Sequence, residues 1–90
     1  MSIDKKMIYS KLNQSHLGYN YIINNVTVGL EMALDSNEVK KVPELEKKII
    51  EYLNQVKELD MSTFGKVNVE DQEKAILIGQ KVIELIDQYL

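Results

Sequence analysis

The sequence predicts an all-α fold: a three-helix antiparallel bundle, or a four-helix one if the first helix breaks at Gly18. Three observations carry that expectation. Apolar residues recur at steps of three and four in three long segments, the spacing that lines one face of a helix. Ile, Leu and Val supply 28 of the 90 residues, against one Pro and four Gly that could interrupt helices. Helix-start residues, Pro43 and Asn68, stand where the second and third segments begin. Ninety residues are expected to make one domain, spanning 1–90.

The first segment runs from about residue 4 to 35. Ile8, Leu12, Ser15, Tyr19, Ile22, Val26, Gly29 and Ala33 follow alternating steps of four and three. The phase passes through Gly18 undisturbed, which predicts one continuous helix, although Gly18 costs it about 1 kcal/mol relative to Ala. A break at Gly18 is the first alternative. A β-hairpin over Tyr19–Val28, turning at Asn24-Asn25, is the second, because that stretch is rich in strand formers.

A second stripe, Ile3, Leu17, Tyr21, Val28 and Met32, gathers about 140° from the first on a helix of 3.6 residues per turn. A continuous helix of 32 residues would be about 48 Å long and overhang its neighbours by about 15–20 Å. A helix apolar on two sides wants a neighbour on both. Leu17, Tyr21, Val28 and Met32 are therefore the expected partner-binding residues, and a homodimer or higher oligomer is expected.

Between the first and second segments, Asp35-Ser36-Asn37-Glu38 has the spacing of a capping box, so an extra turn is expected before Pro43. The second helix is expected over 43–60. Its core stripe is Val42, Leu45, Ile49, Tyr52, Val56 and Leu59, widened by Ile50 and Leu53. Residues 60–67 read as a loop, with Gly65 at its turn.

The third helix is expected over 69–90. Asn68 is a cap, and Glu70 and Asp71 complement the helix dipole in the first turn. Val69, Ile76, Gly79, Ile83, Ile86 and Leu90 make one stripe. Ala75, Ile78, Val82, Leu85 and Tyr89 make another beside it.

Four small residues stand out. Gly29 and Ala33 are four apart on the first helix, and Ala75 and Gly79 are four apart on the third. Small residues let helix backbones approach closely. The two patches are expected to face each other inside the fold; the other reading makes one of them a pocket for a small ligand, lined by tyrosines.

Composition excludes several classes of chemistry. Without cysteine there are no disulfides, thiolate nucleophiles or cysteine-based metal sites. With His16 as the one histidine, the usual zinc and Ser-His-Asp constellations cannot be assembled in one chain. His16 beside Tyr19 and Asn20 reads as a hydrogen-bonded surface residue rather than a general base. Glu44, Glu46, Glu51 and Glu58 lie among lysines on a charged helix face and read as solvated, not as metal ligands. No catalytic residue, metal or cofactor is expected.

Net charge is −3, with eleven Lys and no Arg. Arg supplies the bidentate fork for guanine edges and phosphates, so nucleic acid is not the expected partner. Lys40, Lys41, Lys47 and Lys48 form the one basic cluster, and Glu38, Glu44 and Glu46 offset it. The net charge arises in residues 70–90, where Glu70, Asp71, Glu73, Glu84 and Asp87 outnumber Lys74 and Lys81. No apolar run approaches a membrane span, and the first seven residues lack the apolar stretch of a signal peptide, so a cytoplasmic location is expected.

The expected function is that of a non-enzymatic helical module that binds another protein. In size and composition the chain resembles small helical accessory proteins: bacteriocin immunity proteins, antitoxins and phage-encoded inhibitors. That resemblance carries no residue across. The Arg-free, Lys-, Ile- and Asn-rich composition fits an AT-rich genome, such as that of a phage of a low-GC bacterium. The other readings are a small-ligand-binding bundle and, less favoured, a DNA-binding regulator.

Overall fold

The computed structural model describes residues 4–15, 21–60 and 68–90. Within them the chain is all-helical, with no strand: α1 (Lys5–Leu12), α2 (Ile22–Asp35), α3 (Asn37–Lys40), α4 (Pro43–Lys57) and α5 (Val69–Tyr89).

The expected continuous first helix is two helices. Asp4 caps the start of α1, its carboxylate accepting the Met7 N–H at 3.0 Å. The helix ends at Asn13, whose φ of −84° and ψ of 74° are those of an inverse γ-turn. The Gln14 N–H closes that turn on the Leu12 carbonyl at 3.0 Å, and the Gln14 side-chain amide donates to the Lys11 carbonyl at 3.0 Å. Two carbonyls that a helix end leaves open are thus satisfied within two residues.

The break therefore begins at Asn13, five residues before Gly18, which lies outside the described residues. A contact confirms the fold-back. Leu12 and Gly29 would be about 25 Å apart on one helix. Instead, a Cβ built on Gly29 would stand 2.8 Å from Leu12 Cδ2. The hairpin reading is overturned as well: Ile22–Val28 is helix, while Tyr19 and Asn20 lie outside the described residues.

The extra turn before Pro43 is α3. Its cap is Ser36, one residue after the start of the expected box, and the Ser36 hydroxyl accepts the Val39 N–H at 3.5 Å. Pro43 then opens α4 at a position where its missing N–H costs nothing. That helix ends at Lys57, three residues short of the expected 60. Asn68 caps α5, its side-chain oxygen accepting the Asp71 N–H at 3.1 Å.

Most of the core comes from the stripes the periodicity marks, but Ile23, Leu30 and Val39 belong to none of them, and Val69 and Leu90, expected in the first stripe of α5, are 48% and 37% exposed at its two ends. Ile8 and Leu12 come from α1, and Ile22, Ile23, Val26, Leu30 and Ala33 from α2. Leu45, Ile49, Leu53 and Val56 come from α4, and Ala75, Ile78, Val82 and Ile86 from α5. Val39 of α3 plugs the corner between α2 and α4. Ile50, expected to widen the α4 stripe, is 42% exposed instead. It follows Ile49 by one residue, and about 100° of rotation turns it off the core.

Contacts order the helices around α2, which touches each of the other four. Both α1 and α4 touch α2 and α5 but not each other. Two side-chain ties hold the flanks of α5. Tyr9 of α1 donates its hydroxyl hydrogen to Asp87 at 2.5 Å. Lys48 of α4 donates to the Tyr89 hydroxyl at 3.3 Å and lies 5.4 Å from that ring's centroid. Among the described residues, no helix is long and apolar enough to cross a membrane.

Candidate protein interface on α5 and α2

The faces of α5 follow from 100° of rotation per residue. Ala75, Gly79, Val82 and Ile86 point into the core. Ile78, Leu85 and Tyr89 lie on the flank beside α4, and Ile76, Ile83 and Asp87 on the flank beside α1. The fourth face is open, and it carries Glu70, Glu73, Lys74, Gln80, Lys81 and Glu84, all exposed. Leu77 stands at the centre of this face and is 55% exposed.

An open groove runs along each side of Leu77. The first separates α5 from α4, with Gln55, Glu58 and Leu59 on one wall and Lys74, Ile78 and Lys81 on the other. The second lies beyond Ile76, between Ser15 and the Glu73–Gln80 edge. Leu77 belongs to both. The arrangement is an apolar knob between two grooves, ringed by charges of both signs.

The first groove has a built wall at its end. Asp71 Oδ2 accepts the Asp60 N–H at 2.8 Å, tying the chain that leaves α4 to the first turn of α5. Its other oxygen lies 3.9 Å from Lys74 Nζ. Outside this face, the Tyr9 phenol and the Lys48 ammonium depart from their ordinary ranges. Burial, and then the hydrogen bond and negative charge of Asp87, hold the Tyr9 phenol well above the usual tyrosine range. The hydrogen bond to Tyr89 raises the Lys48 ammonium.

The residues marked in the sequence fall at several places. Leu17 lies outside the described residues, as does His16. Tyr21, 54% exposed, and Val28, half-buried, lie on one side of α2, beside the solvent face of Asn24, Glu31 and Asp35. Met32 lies further round and packs against the core. Of the second stripe, the Tyr21–Val28 edge is accessible and Met32 packs against the core, while Ile3 and Leu17 lie outside the described residues.

The small residues are all buried, but the glycines do not look at each other. Atoms of α1 stand over both. A Cβ on Gly29 would lie 2.9 Å from Leu12 Cγ and 3.1 Å from Lys11 Cβ. A Cβ on Gly79 would lie 2.2 Å from the Leu12 carbonyl oxygen. Ala33 and Ala75 are fully buried. The space beside the glycines is filled by the end of α1, which leaves no room there for a ligand.

Leu77 escaped the sequence reading. Its signal was present: it is the one large apolar residue of α5 outside both core stripes, with polar Glu73, Lys74, Gln80 and Lys81 at the positions three and four away. Among the described residues, no three of His, Cys, Asp and Glu gather as metal ligands would. Compared with protein-family models, with curated proteins and with solved structures, the chain matches none.

Proposed function

We propose that this chain is a non-enzymatic helical module that acts by occupying another protein, through the α5 face centred on Leu77. The carrying observation is the exposed Leu77 between two grooves and within a mixed-charge ring. An apolar centre with a polar, solvated rim is the anatomy of a protein interface. A rigid helix is a suitable platform, because few side chains need ordering on binding. Binding by occupancy suits a small inhibitor or regulator of the kind phages and mobile elements encode.

As the scaffold for this role we read α1, α2, α4 and α5 as a four-helix bundle, antiparallel between neighbours in sequence. The contacts of α2 with the other three, and the single turn of α3 between α2 and α4, support it. The accessible Tyr21–Val28 edge of α2 supports a secondary contact. Self-association through two stripes of one long helix loses its support, because that helix is folded in two. The small-ligand reading loses its proposed pocket at Gly29 and Gly79. The DNA-binding reading gains no support: exposed Lys40, Lys41 and Lys47 alternate with acidic residues.

A photo-crosslinking amino acid at position 77, expressed in the native host, tests the reading. The expected result is a discrete crosslinked protein that is absent when the probe sits at exposed Lys40 of α3, a helix that does not touch α5. Equal crosslinking from both positions would refute the proposed face.

A further inference from the structure

We propose that the Leu77 face of α5 pairs with the same face of a second copy, the two helices running in the same direction, and that this pairing regulates the face by covering it. The pairing rests on reading that face as an interface, and it names an occupant by charge complementarity.

The charges beside Leu77 are sorted by side. At 100° per residue, Lys74 and Lys81 lie about 40–60° from Leu77 toward α4, and Glu73 and Gln80 lie about 40–60° from it toward α1. All four are exposed, as is Leu77. Glu73 and Lys74 are neighbours in sequence, so they flank the face at nearly one height, about 5 Å before Leu77. Gln80 and Lys81 flank it about 5 Å beyond. A helix that fits this face must present an apolar centre, an acidic edge opposite Lys74 and a basic edge opposite Glu73. A second α5 presents all three.

The direction follows from symmetry. Two copies related by a two-fold axis along the helices bring opposite edges together. Lys74 of each copy then faces Glu73 of the other, Lys81 faces Gln80, and Leu77 meets Leu77. A two-fold axis across the helices makes them antiparallel and brings like edges together. Lys74 of each copy would then face Lys81 of the other. The parallel arrangement has two attractive pairs where the antiparallel one has two repulsive pairs.

Glu70 and Glu84 set the crossing angle. Each stands two turns from Leu77, about 10 Å along the axis and within about 20° of the face's centre. Side-by-side helices would bring each against its own counterpart. A crossing of about 50°, the commonest class of helix packing, parts those counterparts by about 8 Å and keeps the turns next to Leu77 in contact. A contact of that extent is smaller than a standard interface, so the dimer is weak and the face opens readily to another partner.

The purified full-length chain tests the pairing. Sedimentation equilibrium up to about 1 mM is expected to show a reversible dimer of twice 10.4 kDa. Lys74→Glu and Glu73→Lys, each alone, are expected to weaken it about tenfold, because each sets like charges together at both pairs. Glu73→Lys makes the chain less negative, so its loss would not come from overall charge. An equimolar mixture of the two variants is expected to dimerise again, since residue 73 of each copy then faces an opposite charge at residue 74 of the other. A wild-type monomer at the highest concentration, single variants as tight as the parent, or a mixture no tighter than its components would overturn the pairing. Tighter association of Lys74→Glu alone would overturn it too, as the sign of antiparallel helices. The partner reading stands or falls separately: a host protein crosslinked from position 77 differs in mass from a self-crosslinked dimer, and no host protein is present in the purified sample.

Discussion

Replacing Gly79 by Ala puts opposing effects in direct competition. In an open helix the change would stabilise by about 1 kcal/mol, because Gly is the poorer helix former. Here the new methyl would stand 2.2 Å from the Leu12 carbonyl oxygen and 3.1 Å from its carbonyl carbon. A carbon–oxygen contact needs about 3.3 Å, so the end of α1 must retreat by about 1 Å. The obstacle is backbone, and no side-chain rotation relieves it.

Overpacking of this kind costs about 1–3 kcal/mol. Release of α1 sets the ceiling: exposing Ile8 and Leu12 would cost about 1.5–3 kcal/mol each. Because the obstacle is backbone, the upper end of that range applies, and the propensity gain of about 1 kcal/mol leaves an expected net loss of about 2 kcal/mol, a fall in Tm of about 10 °C for a domain of this size. Urea denaturation followed by circular dichroism measures it. Gly29→Ala is the internal control: its methyl would meet mainly the Leu12 side chain, which can turn, so its loss should be smaller. A Gly79→Ala variant as stable as the parent, or more stable, would refute the close approach of α1 to α5.

Three other perturbations follow from the same contacts. Asn68→Ala removes the acceptor of the Asp71 N–H and should cost about 1 kcal/mol; a lower urea midpoint, with hydrogen exchange accelerated more at the Asp71 amide than at Ile86, checks it. The raised Tyr9 pKa predicts a stability contribution that is complete below pH 10.0, the ordinary tyrosine value, and lost above it. The unfolded chain gives up that proton first, so alkaline denaturation should begin later for Tyr9→Phe, relative to its own neutral-pH stability, than for the parent. Leu77→Ser should change stability by no more than about 0.5 kcal/mol, as an exposed position does. It should nevertheless weaken capture of the protein crosslinked from position 77.

Helix type and most of the core were legible in the sequence because both follow from local periodicity, although buried Ile23, Leu30 and Val39 lie in no stripe. The stripe from Ile8 to Ala33 reads as one buried face, and its described apolar members are buried. That same regularity misled about continuity. A seven-residue repeat records which face is apolar, not whether the axis runs straight, and folding the chain back buries the same residues. The polar run Asn13-Gln14-Ser15 was the local sign of the break, since side chains of this type compete for backbone groups at helix ends. Gly18 drew attention instead because glycine is the commoner terminator. Leu77 could have been found by asking which large apolar residue of the third helix belongs to neither of its stripes.

Local chemistry alone determined the helical class, the helix starts at Pro43 and Asn68, and most of the core, because propensity, capping and amphipathic spacing act over a few residues. Tertiary structure decided where α1 lies, what stands over Gly29 and Gly79, and which face of α5 stays open. Each of these depends on residues far apart in the chain, such as Leu12 with Gly79 and Tyr9 with Asp87. A pattern of local spacing contains no term for such pairs, and only packing selects among the arrangements that bury the same stripes.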